Sequence, residues 1–181
     1  MNAPLNIALA LAAGCTLTLA GCNDNAPTTS TGGSSSAATT SGAWRLASMP
    51  EGAVNVRQAK DTASEGDTVA IRGIIGGRKD ALATETATFV MIDGDVHNPC
   101  VADGDDHCPT PWDYCCTPLE DRQANMATVQ LVDESGAPME FDLTAQGINP
   151  LDEVVVVGAV AARPSPQILT VRATGLHRVG Q

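Results

Sequence analysis

From Thr68 onward the chain repeats one pattern. Short runs of β-branched and aliphatic residues alternate with polar ones and stop at turn residues. Thr68 to Ile75, Thr86 to Ile92, Ala127 to Asp133, Glu153 to Ala161 and Ile168 to Thr174 are such runs, and runs of this kind predict strands. Gly76-Gly77, Asp133-Glu134-Ser135-Gly136 and Arg163-Pro164-Ser165-Pro166 supply the breaks. Met139 to Leu143 is a candidate sixth short strand, and Ala53 to Thr62 has room for a helical turn or two. No other stretch sustains a helical period. The alternation nominates Val69, Ile71, Val129, Leu131, Val154, Val156, Ile168 and Val171 as core.

Two strand openings share a pattern. Asp67-Thr68-Val69-Ala70-Ile71-Arg72-Gly73-Ile74-Ile75 and Asp152-Glu153-Val154-Val155-Val156-Val157-Gly158-Ala159-Val160 both read Asp-x-Val-x-(Ile/Val)-x-Gly-x-(Ile/Val). A glycine inside a strand marks a bulge or bend of the kind that lets a sheet curl into a small barrel. In this strand order and in these two openings, the region from Glu65 to Arg178 resembles the OB-fold. The expected fold is thus all-β, a small five-stranded OB-like barrel; another small antiparallel barrel or sandwich is the alternative. The departure from the family pattern is a long cysteine-rich insert, Asp93 to Asn125, between strands 2 and 3.

Composition changes this picture in two ways. The aromatics are few, Trp44, Phe89, Trp112, Tyr114 and Phe141, so the core must be aliphatic. The formal net charge is −11, and an acidic domain is repelled by phosphate backbones and anionic lipid surfaces. Nucleic-acid binding, a common use of the OB-fold, would therefore rest on fold analogy alone. The candidate face offers Phe89 and little else for stacking bases.

The N-terminal part differs in kind. An apolar run from Leu5 to Leu19 ends in Leu19-Ala20-Gly21-Cys22, and no charged residue precedes Cys22. The run is short for a spanning helix, which needs about 20 residues, and suits the core of a signal peptide. The tetrapeptide resembles the lipobox of bacterial lipoproteins. That resemblance implies a leader over 1–21, cleavage before Cys22, lipidation of Cys22 and a membrane partner reached through the acyl chains, since more than one chain gives stable anchoring. Asn23 stands where Asp favours inner-membrane retention in the enteric family, so the outer membrane is favoured. An ordinary secretory leader is the alternative. Residues 22–43 are rich in Ser, Thr, Gly and Ala. They have nothing to bury and read as a disordered tether of roughly 25 Å root-mean-square span, leaving 44–181 as one domain.

The insert holds the candidate chemistry. Cys100, Cys108, Cys115 and Cys116 lie in it with His97 and His107, and no Lys or Arg occurs between Lys79 and Arg122. In an exported protein an even number of cysteines in a coreless loop predicts two disulfides. A bond between adjacent Cys115 and Cys116 strains the intervening peptide, which favours each reaching back to Cys100 or Cys108, in an order left open. The alternative is a zinc or copper site drawn from His97, Cys100, His107, Cys108, Cys115 and Cys116, since thiolate and imidazole suit both metals. The Cys-x-x-Cys pairs usual in zinc sites are absent. Calcium on Asp93-Gly94-Asp95 or Asp103-Gly104-Asp105-Asp106 is a weaker reading, because neither run completes an EF-hand loop.

Trp112, Asp113 and Tyr114 beside the cysteine pair are candidate binding residues; the plainer reading is that both aromatics pack the insert onto the barrel. His177 reads as a surface residue at the end of the last strand. No nucleophile elbow, phosphate loop, zinc-hydrolase motif or thioredoxin-type cysteine pair occurs, and no catalytic residue is nominated. The sequence thus predicts a non-catalytic envelope lipoprotein without a cofactor, displaying a stapled acidic insert to an envelope protein or small ligand. Zinc or copper handling is the alternative, and nucleic acid is an unfavoured third.

Overall fold

The computed structural model of the protein describes residues 43–102 and 108–180. The leader, Cys22, most of the tether, His107 and the run 103–106 lie outside the described residues.

Five strands close on themselves: β1 (Thr68–Ile75), β2 (Thr88–Ile92), β3 (Met126–Leu131), β4 (Glu153–Val160) and β5 (Thr170–Arg178). Around the barrel the order is β1-β2-β3-β5-β4 and back to β1. All neighbours are antiparallel except β3 and β5, which pair in parallel from Thr128↔Thr170 to Leu131↔Ala173. This is the expected five-stranded OB-like barrel, with the cysteine-rich segment between strands 2 and 3. Closure leaves no long strand edge unpaired.

The two repeated openings become partners. β1 runs against β4 from Thr68↔Ala159 to Ile74↔Glu153, which puts Gly73 opposite Val154 and Gly158 opposite Val69. Each glycine sits where a neighbouring strand comes too close for a side chain. A Cβ on Gly158 would lie 2.2 Å from the Arg172 carbonyl oxygen, and one on Gly73 would lie 2.6 Å from Met91 Cε. At Val157/Gly158 the register against β5 slips, so the bend falls at the second glycine.

The core is aliphatic, as composition demanded. Ile71, Val129, Leu131, Val154, Val156 and Val171 are all fully buried, and Trp44, Phe89 and Leu176 join them. Trp44 stacks on Phe141 with ring centroids 5.5 Å apart. Two expected core positions differ. Val69 is only half-buried. Ile168 is 48% exposed, while its neighbour Leu169 is buried. The inward set on the last strand is Leu169, Val171 and Ala173; Ile168 falls on the opposite parity with Thr170 and Arg172.

The predicted helical turns form α1 (Val56–Thr62), which buries Val56, Ala59 and Lys60 on one face. Asn55 caps it, its side-chain oxygen accepting the Gln58 N–H at 2.8 Å. A two-residue strand, Val54–Asn55, precedes it and pairs in parallel with Ile71 and Arg72 of β1.

Met139 to Leu143 is not a strand. Pro138 has no N–H to give a ladder. The return is limited to the Val132↔Pro138 bridge and two bonds at Met139, which donates to Leu131 and accepts from Ala87. Asp142 then turns the chain away by accepting the Thr144 N–H. His177 lies within β5, half-buried, with Nδ1 at 3.1 Å from the Leu46 carbonyl oxygen.

Candidate functional site

The insert leaves and rejoins the barrel at one point. Ile92 and Met126 are paired across β2 and β3, and the next residues out, Asp93 and Asn125, are joined by a hydrogen bond from Asp93 N to the Asn125 carbonyl at 2.9 Å. Between these posts the insert forms no strand among the described residues. It holds α2 (Pro99–Ala102), a 3-10 turn at Pro111–Asp113 and α3 (Leu119–Asn125).

The Asp93 side chain is 2% exposed. One carboxylate oxygen accepts the Arg57 N–H of α1 at 2.9 Å, and the other accepts the Asp95 N–H at 3.0 Å. This buried carboxylate is satisfied by backbone donors and ties the insert to α1. Lys60 does the same from the helix side. Its ammonium donates to the carbonyls of Gln123 at 2.7 Å and Met126 at 3.1 Å. Burial, followed by the nearby Arg163 and Arg57 charges, holds the Lys60 pKa below its ordinary value.

The middle of the insert docks on the loop after β1. Gly76-Gly77, expected only as a break, is the docking point. Gly77 donates its N–H to the Trp112 carbonyl at 2.8 Å, and a Cβ on Gly76 would meet that same oxygen at 2.6 Å. Trp112 Nε1 donates to the Lys79 carbonyl at 2.9 Å. Arg122 Nη1 reaches the carbonyls of both Gly77 and Asp113. Tyr114 is 1% exposed, and its burial pushes the phenol above its usual range, with a contact to Asn98 opposing. Of the three candidate binding residues, Tyr114 therefore packs the insert onto the barrel, and Trp112, half-buried, does so in part. Asp113 uses its carboxylate locally, accepting from the Thr110 hydroxyl and from the Cys115 N–H, both at 2.8 Å.

The four cysteines converge on Cys115. Its sulfur lies 3.7 Å from that of Cys100, 3.7 Å from Cys108 and 3.8 Å from Cys116. None of the four is in a disulfide, which requires about 2.05 Å between sulfurs. The expected two disulfides are thus not formed in this structure, although the sulfurs are neighbours. Cys100, Cys115 and Cys116 place their sulfurs within 4.8 Å of one another; Cys108, Cys115 and the Asp113 carboxylate form a second such set. Contacts with Cys108, then Cys100, then Cys116 push the Cys115 thiol well above its usual range.

His97 is exposed and joins neither set among the described residues. Asn98, next in the chain, is committed to fixing the insert. Its side chain accepts from Cys100 N at 3.1 Å and donates to the Pro111 carbonyl at 2.9 Å. His97 instead lines a cleft of about 490 Å³ with Asp93, Asp95, Asp121, Cys116 and Arg57, where the insert meets α1. A second cleft, of about 370 Å³, lies on the β2–β3 face between Arg78 and the Ser165–Leu169 loop; this is the usual ligand face of the architecture. Sequence reasoning missed Arg122 and Lys60 as fastening residues, since a lone cation carries no pattern that reveals which carbonyls it will reach.

No protein-family model matches this chain, and no curated protein does. Two solved structures are similar in part. The hypothetical protein ygiW from E. coli is 16% identical, with 72% of this chain and 94% of that one covered and a TM-score of 0.36. Aspartyl tRNA synthetase from Entamoeba histolytica is 11% identical over 76% of this chain, with a TM-score of 0.42, and only 25% of the synthetase is covered. Both TM-scores are low.

Proposed function

We propose that this protein is a non-catalytic binding module of the cell envelope, held at a membrane by acyl chains on Cys22. Its OB-like barrel presents the insert as a rigid acidic face to a small ligand or partner protein. The observation that supports this most is the fastening of the insert. Main-chain bonds join its two ends to each other and its middle to the loop after β1, which leaves the acidic cleft beside α1 as a pre-formed seat. A pre-formed seat loses little binding energy to ordering, and its Asp95 and Asp121 select for positive charge.

The test is titration of the full-length, detergent-extracted protein with a polyamine and with a short oligolysine at low salt. Saturable binding that weakens in Asp95→Asn and Asp121→Asn supports the reading; binding indifferent to both changes counts against it. Membrane attachment is tested separately. Cys22→Ala is expected to release the protein from the membrane fraction or to block its processing.

A second reading, zinc or copper handling through the insert, is favoured by the three sulfurs around Cys115. It predicts a metal that exchanges readily with a competing chelator.

A further inference from the structure

The four cysteines come from three separate pieces of the insert: α2, the stretch that starts at Cys108, and the turn that follows Pro111–Asp113. Two of the three pieces are aimed by their own backbone bonds. Asn98 holds the Cys100 N–H and Asp113 holds the Cys115 N–H. Tyr114, immediately before the cysteine pair, has φ +56°. A bulky residue in the left-handed region persists only where packing over-determines it, and Tyr114 is buried. That turn leaves the sulfurs of adjacent Cys115 and Cys116 only 3.8 Å apart.

The spacing has a specific meaning. Zinc binds thiolate at about 2.3 Å, so two sulfurs on one tetrahedral zinc stand about 3.8 Å apart. All three separations from Cys115 have that length. Cys108 is the splayed corner, because its set includes Asp113 rather than Cys100 or Cys116. Being only half-buried, its side chain has room to turn inward. Arg122, bonded to the Asp113 carbonyl, brings positive charge to the same turn and partly offsets a thiolate-rich site.

We propose that Cys100, Cys108, Cys115 and Cys116 together form a tetrahedral four-sulfur centre for a zinc-class divalent ion, and that this ion is the staple of the insert. Each bound cysteine gives up its thiol proton to solvent and donates a sulfur lone pair, with no change of oxidation state. The inference shares with the second reading only the premise that these sulfurs bind metal. It makes the ion a structural part rather than cargo.

The test uses full-length protein extracted in detergent without oxygen, with Zn²⁺ and Co²⁺ as probes. One zinc per chain is expected as isolated. After chelation under reductant, the protein should take up one Co²⁺ with the thiolate charge-transfer and strong visible absorption of a tetrahedral site. Cys115→Ser and, as a second variant, Cys108→Ser should each weaken Co²⁺ binding by about 100-fold or more. Removing the ion should speed amide exchange across 94–125 by about tenfold or more, with the β-strands unchanged.

Two disulfides in the isolated fragment between Lys79 and Arg122, with no metal, would overturn both this proposal and the handling reading. So would Co²⁺ uptake that neither variant alters. Stoichiometric metal that leaves the exchange of 94–125 unchanged on removal would overturn the staple and leave metal handling standing.

Discussion

The barrel and its insert are stabilised by different means. In the barrel, every strand is laddered to two neighbours, and the side chains between them form a largely aliphatic core. Among its described residues the insert has no ladder. It is fixed by a few side-chain and main-chain bonds to carbonyls and by one buried tyrosine. Damage to the barrel is therefore shared by the whole domain, whereas damage to the insert stays local. The difference is also one of use: an element held by a few replaceable contacts can vary its surface without disturbing the fold beneath it.

The largest expected effect lies in the barrel. Phe89 is 1% exposed on β2, and Phe89→Ala removes an aromatic ring from a core that cannot collapse around a closed sheet. We expect a loss of about 3–5 kcal/mol in urea unfolding, with strand and insert signals lost together. If the insert melted first, the barrel would not be the cooperative unit.

Tyr114→Ala should cost about 3 kcal/mol but spend it locally. Amide exchange should rise across 94–125 while β1 to β5 remain protected. A single global transition shifted as far as that of Phe89→Ala would erase the distinction between the regions. Trp112→Phe is milder, since it keeps an aromatic ring at a half-buried position and removes the Nε1 bond to the Lys79 carbonyl together with the five-membered ring that carries it. About 1 kcal/mol is expected, read as faster local opening of the loop from Gly76 to Lys79.

The same contrast governs what the sequence could reveal. Strand periodicity is local, so β1, β2, β3 and β4 were legible, as was the likeness of the two glycine-containing openings, though not that they pair with each other. Where a proline-rich turn precedes a strand, parity is ambiguous. Ile168 and Val171 cannot both face inward on one strand, and only the contacts of Leu169 settle the phase. In the insert the crowding of cysteines was legible, but their partners were not. That depends on Tyr114 in a left-handed turn, on Asn98 holding α2, and on Gly76-Gly77 receiving the Trp112 carbonyl. None of these has a sequence period.

The smallest expected effect is the barrel's response to acid. Asp133 and Asp142 both lie in the connection between β3 and β4. Each holds its carboxyl below the ordinary value by accepting short-range bonds: Asp133 first from the Ser135 hydroxyl and then the Ala137 N–H, Asp142 first from the Thr144 hydroxyl and then its N–H. A folded pKa below the unfolded one means that the unfolded chain binds more protons in between. The contribution is therefore present above the ordinary carboxyl value, about 3.9, and is lost as pH falls through the lower folded value. Both side chains face solvent, which keeps the effect small. Carboxyl titration by NMR should show both midpoints below that of an unfolded reference. Asp133→Asn should flatten the acid limb of the stability curve without changing amide exchange in the insert. An unchanged acid limb would show that the turn after β3 draws nothing from this carboxylate, and that acid sensitivity arises elsewhere.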